Sequence, residues 1–147
     1  MVTDVTLSSV ELADALRPVV LRLTRELRHE SERLGVTARQ TTLLWLIRRS
    51  PGLSLRDLAE LERISPPALS GHVDRLERDG LVERVRSDED RRRVGLRLTP
   101  AGDRVLRRVK ARRTTHLAER LRQLDDADIA AIDAALPALR RLAGEPA

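Results

Sequence analysis

Apolar side chains recur at every third or fourth position through most of this chain, and almost all of them are aliphatic. That spacing is the period of an α-helix with one apolar stripe facing a core. With one Trp and no Phe or Tyr in 147 residues, the core has to be built from stripes of Leu, Val, Ile and Ala. The pattern predicts a mostly α-helical fold, of a length that suits one domain.

Six predicted helices each begin at a side chain that can accept hydrogen bonds from the free N–H groups of a first turn. These capping residues are Ser8, Thr37, Ser54, Ser65, Thr99 and Asp125. The first helix is expected to reach about Leu34 and to bend at Pro18, and the fifth to reach about Leu124. Pro137 is expected to disturb the last turns of the sixth.

The second predicted helix carries the run LLWLI at residues 43–47, which is apolar on nearly every side. Such a helix is expected to be buried. The same pattern places Trp45 in the core rather than at an exposed stacking surface.

The third and fourth predicted helices are short and are separated by roughly three residues, a spacing typical of a helix-turn-helix. Leu69, Val73 and Leu76 share the face of the fourth helix that should turn to the core. The opposite face carries small and polar residues that could approach base edges in the DNA major groove. A plain helical hairpin remains the alternative.

A β-hairpin is predicted after the fourth helix. Residues 81–86 form its first strand, residues 87–92 its tip, and residues 93–98 return with alternating apolar positions. The tip, within SDEDRRRVGLRLTP at 87–100, joins three acids to three arginines. A helix-turn-helix followed by a charged hairpin is a winged helix-turn-helix, although a solvated turn would also explain the charges.

The positive charge of the chain is concentrated in its middle. Residues 50–113 hold 16 basic and 11 acidic groups (+5), against +2 for residues 1–49 and −2 for residues 114–147. Within the middle, residues 91–113 carry 10 basic groups and one acid, Asp103. Such a density repels itself unless an anionic partner is present, which favours a polyanion such as DNA.

GLVERVRSDEDRRRVGLRLTPAG, residues 80–102, closely resembles the wing of MarR-type transcriptional regulators, including a Leu-Thr-x-x-Gly helix start. The resemblance extends through residues 53–80 and covers nearly the whole chain. It implies a homodimer that binds a pseudo-palindromic site in duplex DNA as a repressor, or less often an activator, and that a small-molecule effector often releases. It also implies that Asp74 pairs with Arg92 to orient the wing. From their charge alone, the acids of the tip, Asp90 among them, are expected to keep the tip oriented and to reduce its self-repulsion.

Helix-turn-helix geometry and charge together predict the DNA-contacting residues. They are Ser54, Arg56, Ser65, Pro67, Ala68, Ser70, Gly71, His72, Arg75, Arg91, Arg92 and Arg93. For His72 a structural role is an equal alternative, because it lies at the flank of the fourth helix.

The long outer helices are predicted to form the dimer. Residues 1–36 and 100–147 are assigned to dimerisation within one MarR-like domain, and residues 37–99 to the winged helix-turn-helix lobe. The fifth helix has only a thin apolar stripe, which suits a connecting helix, and the sixth is expected to pack with the first and with its symmetry mate. A monomer with these helices folded back is the alternative.

Enzymatic function is not expected, because acids in an exposed, arginine-rich loop give no dry pocket that could raise a pKa. The three histidines lack metal-ligand spacing, so neither a metal nor another cofactor is expected. His29, Trp45 and His116 are candidates for an effector pocket. Without a signal-like start or a membrane-length apolar run, the protein is expected in the cytoplasm. A helical adaptor dimer that binds no DNA is the second functional hypothesis.

Overall fold

The computed structural model describes residues 7–86, 90 and 92–145. In that part of the chain, six α-helices and three short strands follow one another, which confirms the predicted mostly α-helical fold with a small β-wing. The elements are α1 (Ser9–Glu32), α2 (Ala38–Arg49), β1 (Leu53–Ser54), α3 (Leu55–Glu62), α4 (Pro66–Arg78), β2 (Val82–Arg86), β3 (Val94–Leu98), α5 (Pro100–Leu121) and α6 (Asp126–Leu142).

The helix starts lie where the capping residues predict them. Ser8, Thr37 and Ser54 each form a reciprocal capping box with the residue three positions later. Ser65 accepts from the backbone N–H of Ala68, with Pro66 as the first helical residue. Two ends differ from expectation, because α1 and α5 stop two to three residues earlier than predicted. α6 continues past Pro137 to Leu142, so the expected disturbance of its last turns is wrong.

The core is aliphatic and lies where α2, α3, α4 and the sheet meet. Its fully buried residues include Leu43, Leu44, Ile47, Leu58, Leu69, Val73, Leu76 and Leu96. The prediction for Trp45 is wrong, since this residue is 49% exposed. At 100° per residue, the buried positions 43, 44 and 47 share one side of α2, and position 45 falls on the opposite side. There the Arg49 guanidinium lies 5.2 Å from the centre of the Trp45 ring.

The three strands form one antiparallel sheet in the order β1-β3-β2. Leu53 pairs with Leu96 across β1 and β3, and β2 pairs with β3 from Val82↔Leu98 to Arg86↔Val94. Gly95 lets β1 approach closely, because a Cβ atom there would lie 2.5 Å from the Gly52 carbonyl oxygen. The charged hairpin is thereby joined to the start of the helix-turn-helix.

The chain divides into two compact units, Met1–Arg113 and Thr114–Ala147. The first contains the buried core. The second contains α6, which has no fully buried residue although its sequence is amphipathic. The division into dimerisation and DNA-binding segments stays a prediction. Within the described residues, no helix is both long and apolar enough to span a bilayer.

Candidate nucleic-acid interface

α4 presents one face to the core and the other to solvent. Leu69, Val73 and Leu76 are completely buried. The predicted DNA-facing residues of this helix lie outward: Pro67, Ala68, Gly71 and Arg75 are exposed, while Ser70 and His72 are half-buried. The first turn therefore offers small side chains, a surface that can come close to base edges.

The start of α3 is held by a network of short polar contacts. The Ser54 hydroxyl donates to Asp57 Oδ2 at 2.7 Å and accepts from the Asp57 N–H at 3.1 Å. The hydroxyl and the backbone N–H of Ser54 both donate to the Asp57 carboxylate and hold its pKa below the usual value, and the positive charges of Arg93 and Arg56 add to the effect. Ser54 is thus occupied as a cap, while Arg56 is exposed beside Glu60 at 3.5 Å.

The partner of Asp74 differs from the expected one. Asp74 Oδ1 accepts from Arg84 Nη2 at 2.5 Å, and Arg84 Nε lies 3.3 Å from Glu77 Oε2. β2 follows α4 after a short turn and packs against it, which brings Arg84 alongside the helix. The expected pairing with Arg92 is therefore wrong in this structure. Asp74 still joins α4 to the wing, but through the strand rather than through the tip.

Asp90 accepts two hydrogen bonds from the residues that precede β3. Its carboxylate accepts from the Arg92 N–H at 3.0 Å, and its carbonyl accepts from the Arg93 N–H at 2.8 Å. These bonds turn the chain back into β3, consistent with the positioning role predicted for Asp90. Arg92 and Arg93 are both exposed. Arg91 and residues 87–89 lie outside the described residues.

A groove of about 820 Å³ runs between the start of α3 and the wing. Four arginines line it, together with the acids Asp57 and Glu60. These arginines are Arg56, Arg86, Arg92 and Arg93. Arg56, Arg92 and Arg93 were expected to contact DNA, and all three line this groove. The groove could hold a phosphate of the DNA backbone.

The candidate effector residues each have a different setting. His29 Nδ1 lies 3.2 Å from Glu32 Oε2 on α1, and Trp45 stacks under Arg49 on α2. His116 lies on the part of α5 that belongs to the second compact unit. Their shared role in an effector pocket stays a prediction. Among the described residues, no cluster of three His, Cys, Asp or Glu side chains is arranged to hold a metal ion.

The sequence interpretation missed Arg84, which pairs with Asp74, and Arg86, which lines the groove. The available signal for Arg84 was its place in VERVR, directly after the predicted end of α4. A strand that leaves a helix after a short turn runs beside it, so its side chains can reach back to helix positions ten residues earlier.

Comparisons with known proteins agree with this geometry. Residues 36–94 match the family model described as MarR family. The HTH-type transcriptional repressor MdtR of Bacillus subtilis is 29% identical over 126 residues, which are 86% of this chain and 80% of MdtR. The crystal structure of RV1404 from Mycobacterium tuberculosis has a TM-score of 0.81 at 28% identity, over 97% of this chain and 99% of that one. A Pseudomonas aeruginosa protein assigned as a transcriptional regulator has a TM-score of 0.78 at 32% identity, over 94% and 97% of the two chains.

Proposed function

Since this chain belongs to the MarR family of transcriptional regulators and is a DNA-binding regulator, we propose that it acts as a homodimeric repressor. In this proposal α4 enters the major groove of the DNA, and the wing arginines bind phosphates of the adjacent DNA backbone. The observation that carries the proposal is the two-sided character of α4. Its core face is completely buried, whereas its outer face combines small residues with Arg75.

The charge distribution supports the same orientation. Arg56, Arg92 and Arg93 lie around one groove beside the helix-turn-helix, and the middle of the chain carries the excess of basic groups. Arginine suits phosphate, because its planar guanidinium donates two parallel hydrogen bonds. We expect most contacts to be to phosphate and the affinity to fall steeply with salt.

Exposed apolar side chains on the outer helices support the homodimer. Ile129, Ile132, Leu136 and Leu139 of α6 are each 40% exposed, and α1 exposes Val10 at 72%. An apolar stripe of this length is unfavourable in water and suits burial against a second copy. Two-fold symmetry then predicts a pseudo-palindromic site with half-site centres about one helical turn, ~10 bp, apart.

We also propose that the protein represses transcription and that an effector reverses this repression. MdtR is named a repressor, and a protein held on an operator blocks transcription by occupying the site. We assign the relief to a small-molecule effector near Trp45, the single aromatic residue of the chain. Trp45 is half-exposed, so its fluorescence should change when a ligand binds beside it.

The proposal is tested by selecting binding sites from random duplex DNA with the full chain. An enriched, pseudo-palindromic motif is expected, and failure to enrich any sequence at low salt would favour the adaptor dimer instead. Arg75→Ala should then weaken binding to the selected duplex. Arg108→Ala is the matched control, because it removes the same charge from an exposed position on α5. Equal losses in both variants would mean that charge alone, and not α4, reads the DNA.

A further inference from the structure

The segment that follows α4 lies against the first turn of α5, and Thr99 forms hydrogen bonds to both. Its hydroxyl donates to the Gly80 carbonyl at 2.6 Å and accepts from the Gly102 N–H at 3.1 Å. Its own N–H donates to the Leu81 carbonyl at 3.1 Å. Gly80 and Leu81 are the second and third residues after the end of α4, so the cap of α5 is also the anchor of the α4 exit.

Gly102 allows this approach. A Cβ atom at position 102 would lie 2.1 Å from the Leu81 carbonyl oxygen, much closer than any real contact. The obstacle is backbone, which cannot turn aside as a side chain does. The first turn of α5 therefore lies directly on the peptide that follows α4. Gly80, Leu81, Thr99 and Gly102 together form what we call the α4–α5 clasp.

We propose that Thr99 and Gly102 are positioning residues for DNA recognition, which fix α4 and the base of the wing against α5. This inference rests on the proposed function. Both predicted DNA-reading elements are attached at the clasp, since α4 ends there and the wing, residues 82–98, begins and ends there. The same contacts account for the Thr and the Gly of the Leu-Thr-x-x-Gly pattern.

The length of α4 makes its C-terminal anchor important for its N-terminal contacts. α4 has 13 residues, which at 1.5 Å per residue is about 20 Å. A tilt of about 10° at the clasp would therefore move the first turn by about 3 Å, as much as the length of a hydrogen bond. Specific contacts to base edges would be lost, while phosphate contacts from flexible arginines would persist.

If the clasp only stabilises the fold, its loss should affect DNA binding differently than if it positions α4. Loss of stability lowers the amount of folded protein, but below the melting transition the folded fraction binds DNA as before. Loss of position changes the ratio between affinity for the selected sequence and affinity for unrelated DNA. This ratio is therefore the measurement that separates the two roles.

The test uses the full chain and the duplex that the wild-type protein selects from a random pool, with a scrambled duplex for comparison. Thr99→Val removes both hydroxyl bonds of the clasp and keeps the shape of the side chain, whereas Thr99→Ser keeps the hydroxyl. Thr37→Val is the matched control, because Thr37 is also a capping threonine, at the start of α2, and accepts from the Gln40 N–H at 3.1 Å.

For Thr99→Val we expect about tenfold weaker binding to the selected duplex, comparable with the loss of one base contact, and unchanged binding to the scrambled duplex. Thr99→Ser should restore the ratio, and Thr37→Val should leave it unchanged. Equal ratios for Thr99→Val and Thr37→Val at temperatures where both are folded would overturn the inference while leaving the proposed function intact. If the wild-type protein selects no sequence, the proposed function itself fails.

Gly102→Ala provides a second, steric perturbation of the clasp. It should lower the selected-to-scrambled ratio more than Thr99→Val does, because the added methyl group meets the backbone of Leu81. A folded Gly102→Ala protein with the wild-type ratio would contradict the inference. If this variant does not fold, the threonine series alone decides.

Discussion

α4 and α6 both have amphipathic sequences, but their apolar faces are buried to different extents in the structure. Leu69, Val73 and Leu76 of α4 are 0% exposed, whereas Ile132 and Leu136 of α6 are each 40% exposed. Both helices are amphipathic, and each begins with a capped first turn. An apolar stripe on a helix therefore predicts that the stripe is buried, but not whether the same chain or another molecule buries it. The stripe of α4 is buried by its own chain, and we propose that the stripe of α6 is buried by a second copy.

The largest effect is expected from charges placed in the apolar stripe of α6. In Ile132→Asp/Leu136→Asp, four aspartates would meet across a two-fold interface, at a cost of several kcal/mol, on the order of 100-fold or more in association. Sedimentation at micromolar concentration should then show a monomer that binds its site weakly. Asp133→Asn is the control on the same helix. A double mutant that remains dimeric would mean that α6 is not the contact surface.

Truncation of the corresponding stripe in α4 should act within one chain. Leu69→Ala removes most of a completely buried side chain, which typically lowers the free energy of unfolding by about 2–5 kcal/mol. Leu136→Ala should instead act mainly through association, so its effect on melting temperature should shrink as the protein is diluted below its dissociation constant, whereas the effect of Leu69→Ala should not change. Denaturation at several protein concentrations checks this contrast. Similar, concentration-independent losses in both variants would remove the distinction between the two helices.

A smaller effect is expected at the surface of the DNA-binding lobe. Asp74 and Arg84 form an ion pair that is partly exposed, at 51% and 35% for the two side chains. Pairs of this kind typically contribute about 0.2–1 kcal/mol. A double-mutant cycle with Asp74→Ala and Arg84→Ala should show coupling of that size in denaturant unfolding. The same cycle with Arg92→Ala should show none, and coupling to Arg92 instead would restore the pairing expected from the family resemblance.

The sequence was sufficient where local rules decide the structure. Capping residues such as Ser8 and Thr37 predicted helix starts, because the first turn of any helix needs acceptors for its free N–H groups. The period-2 alternation of residues 94–98 likewise predicted β3. In both cases the signal and the structure that satisfies it lie within a few residues of each other.

Sequence interpretation failed where the answer depended on which elements lie side by side. Trp45 was expected in the core because its neighbours are all apolar, yet α2 buries only one side. Asp74 was assigned to the wing tip, while the packing of β2 against α4 gave it Arg84. The closeness of Gly102 to Leu81 could not be read from the sequence either, because it depends on the packing of two elements far apart in the chain.

The smallest expected effect is the titration of Asp57, and it tests whether the start of α3 is independent of association. Hydrogen bonds from Ser54 lower the pKa of the Asp57 carboxyl below its ordinary value of 3.8. A depressed pKa means that the ionised carboxylate stabilises the folded state above pH 3.8, and that this contribution is lost as the pH falls through the folded-state pKa. Carbon-detected NMR titration should show the lowered pKa in the wild-type protein.

Ser54→Ala should bring the pKa of Asp57 back towards 3.8, because it removes the hydroxyl that bonds the carboxylate at 2.7 Å. Ser8→Ala is the matched control, since it breaks the corresponding capping box of α1 and leaves Asp57 untouched. All the contacts that lower this pKa come from residues 54–93, which lie within the first compact unit. The Asp57 pKa should therefore be the same in the wild-type protein and in Ile132→Asp/Leu136→Asp. A pKa that rises when the protein becomes monomeric would show that association reaches the helix-turn-helix, and the contrast between a self-contained α4 region and a dependent α6 would have to be abandoned.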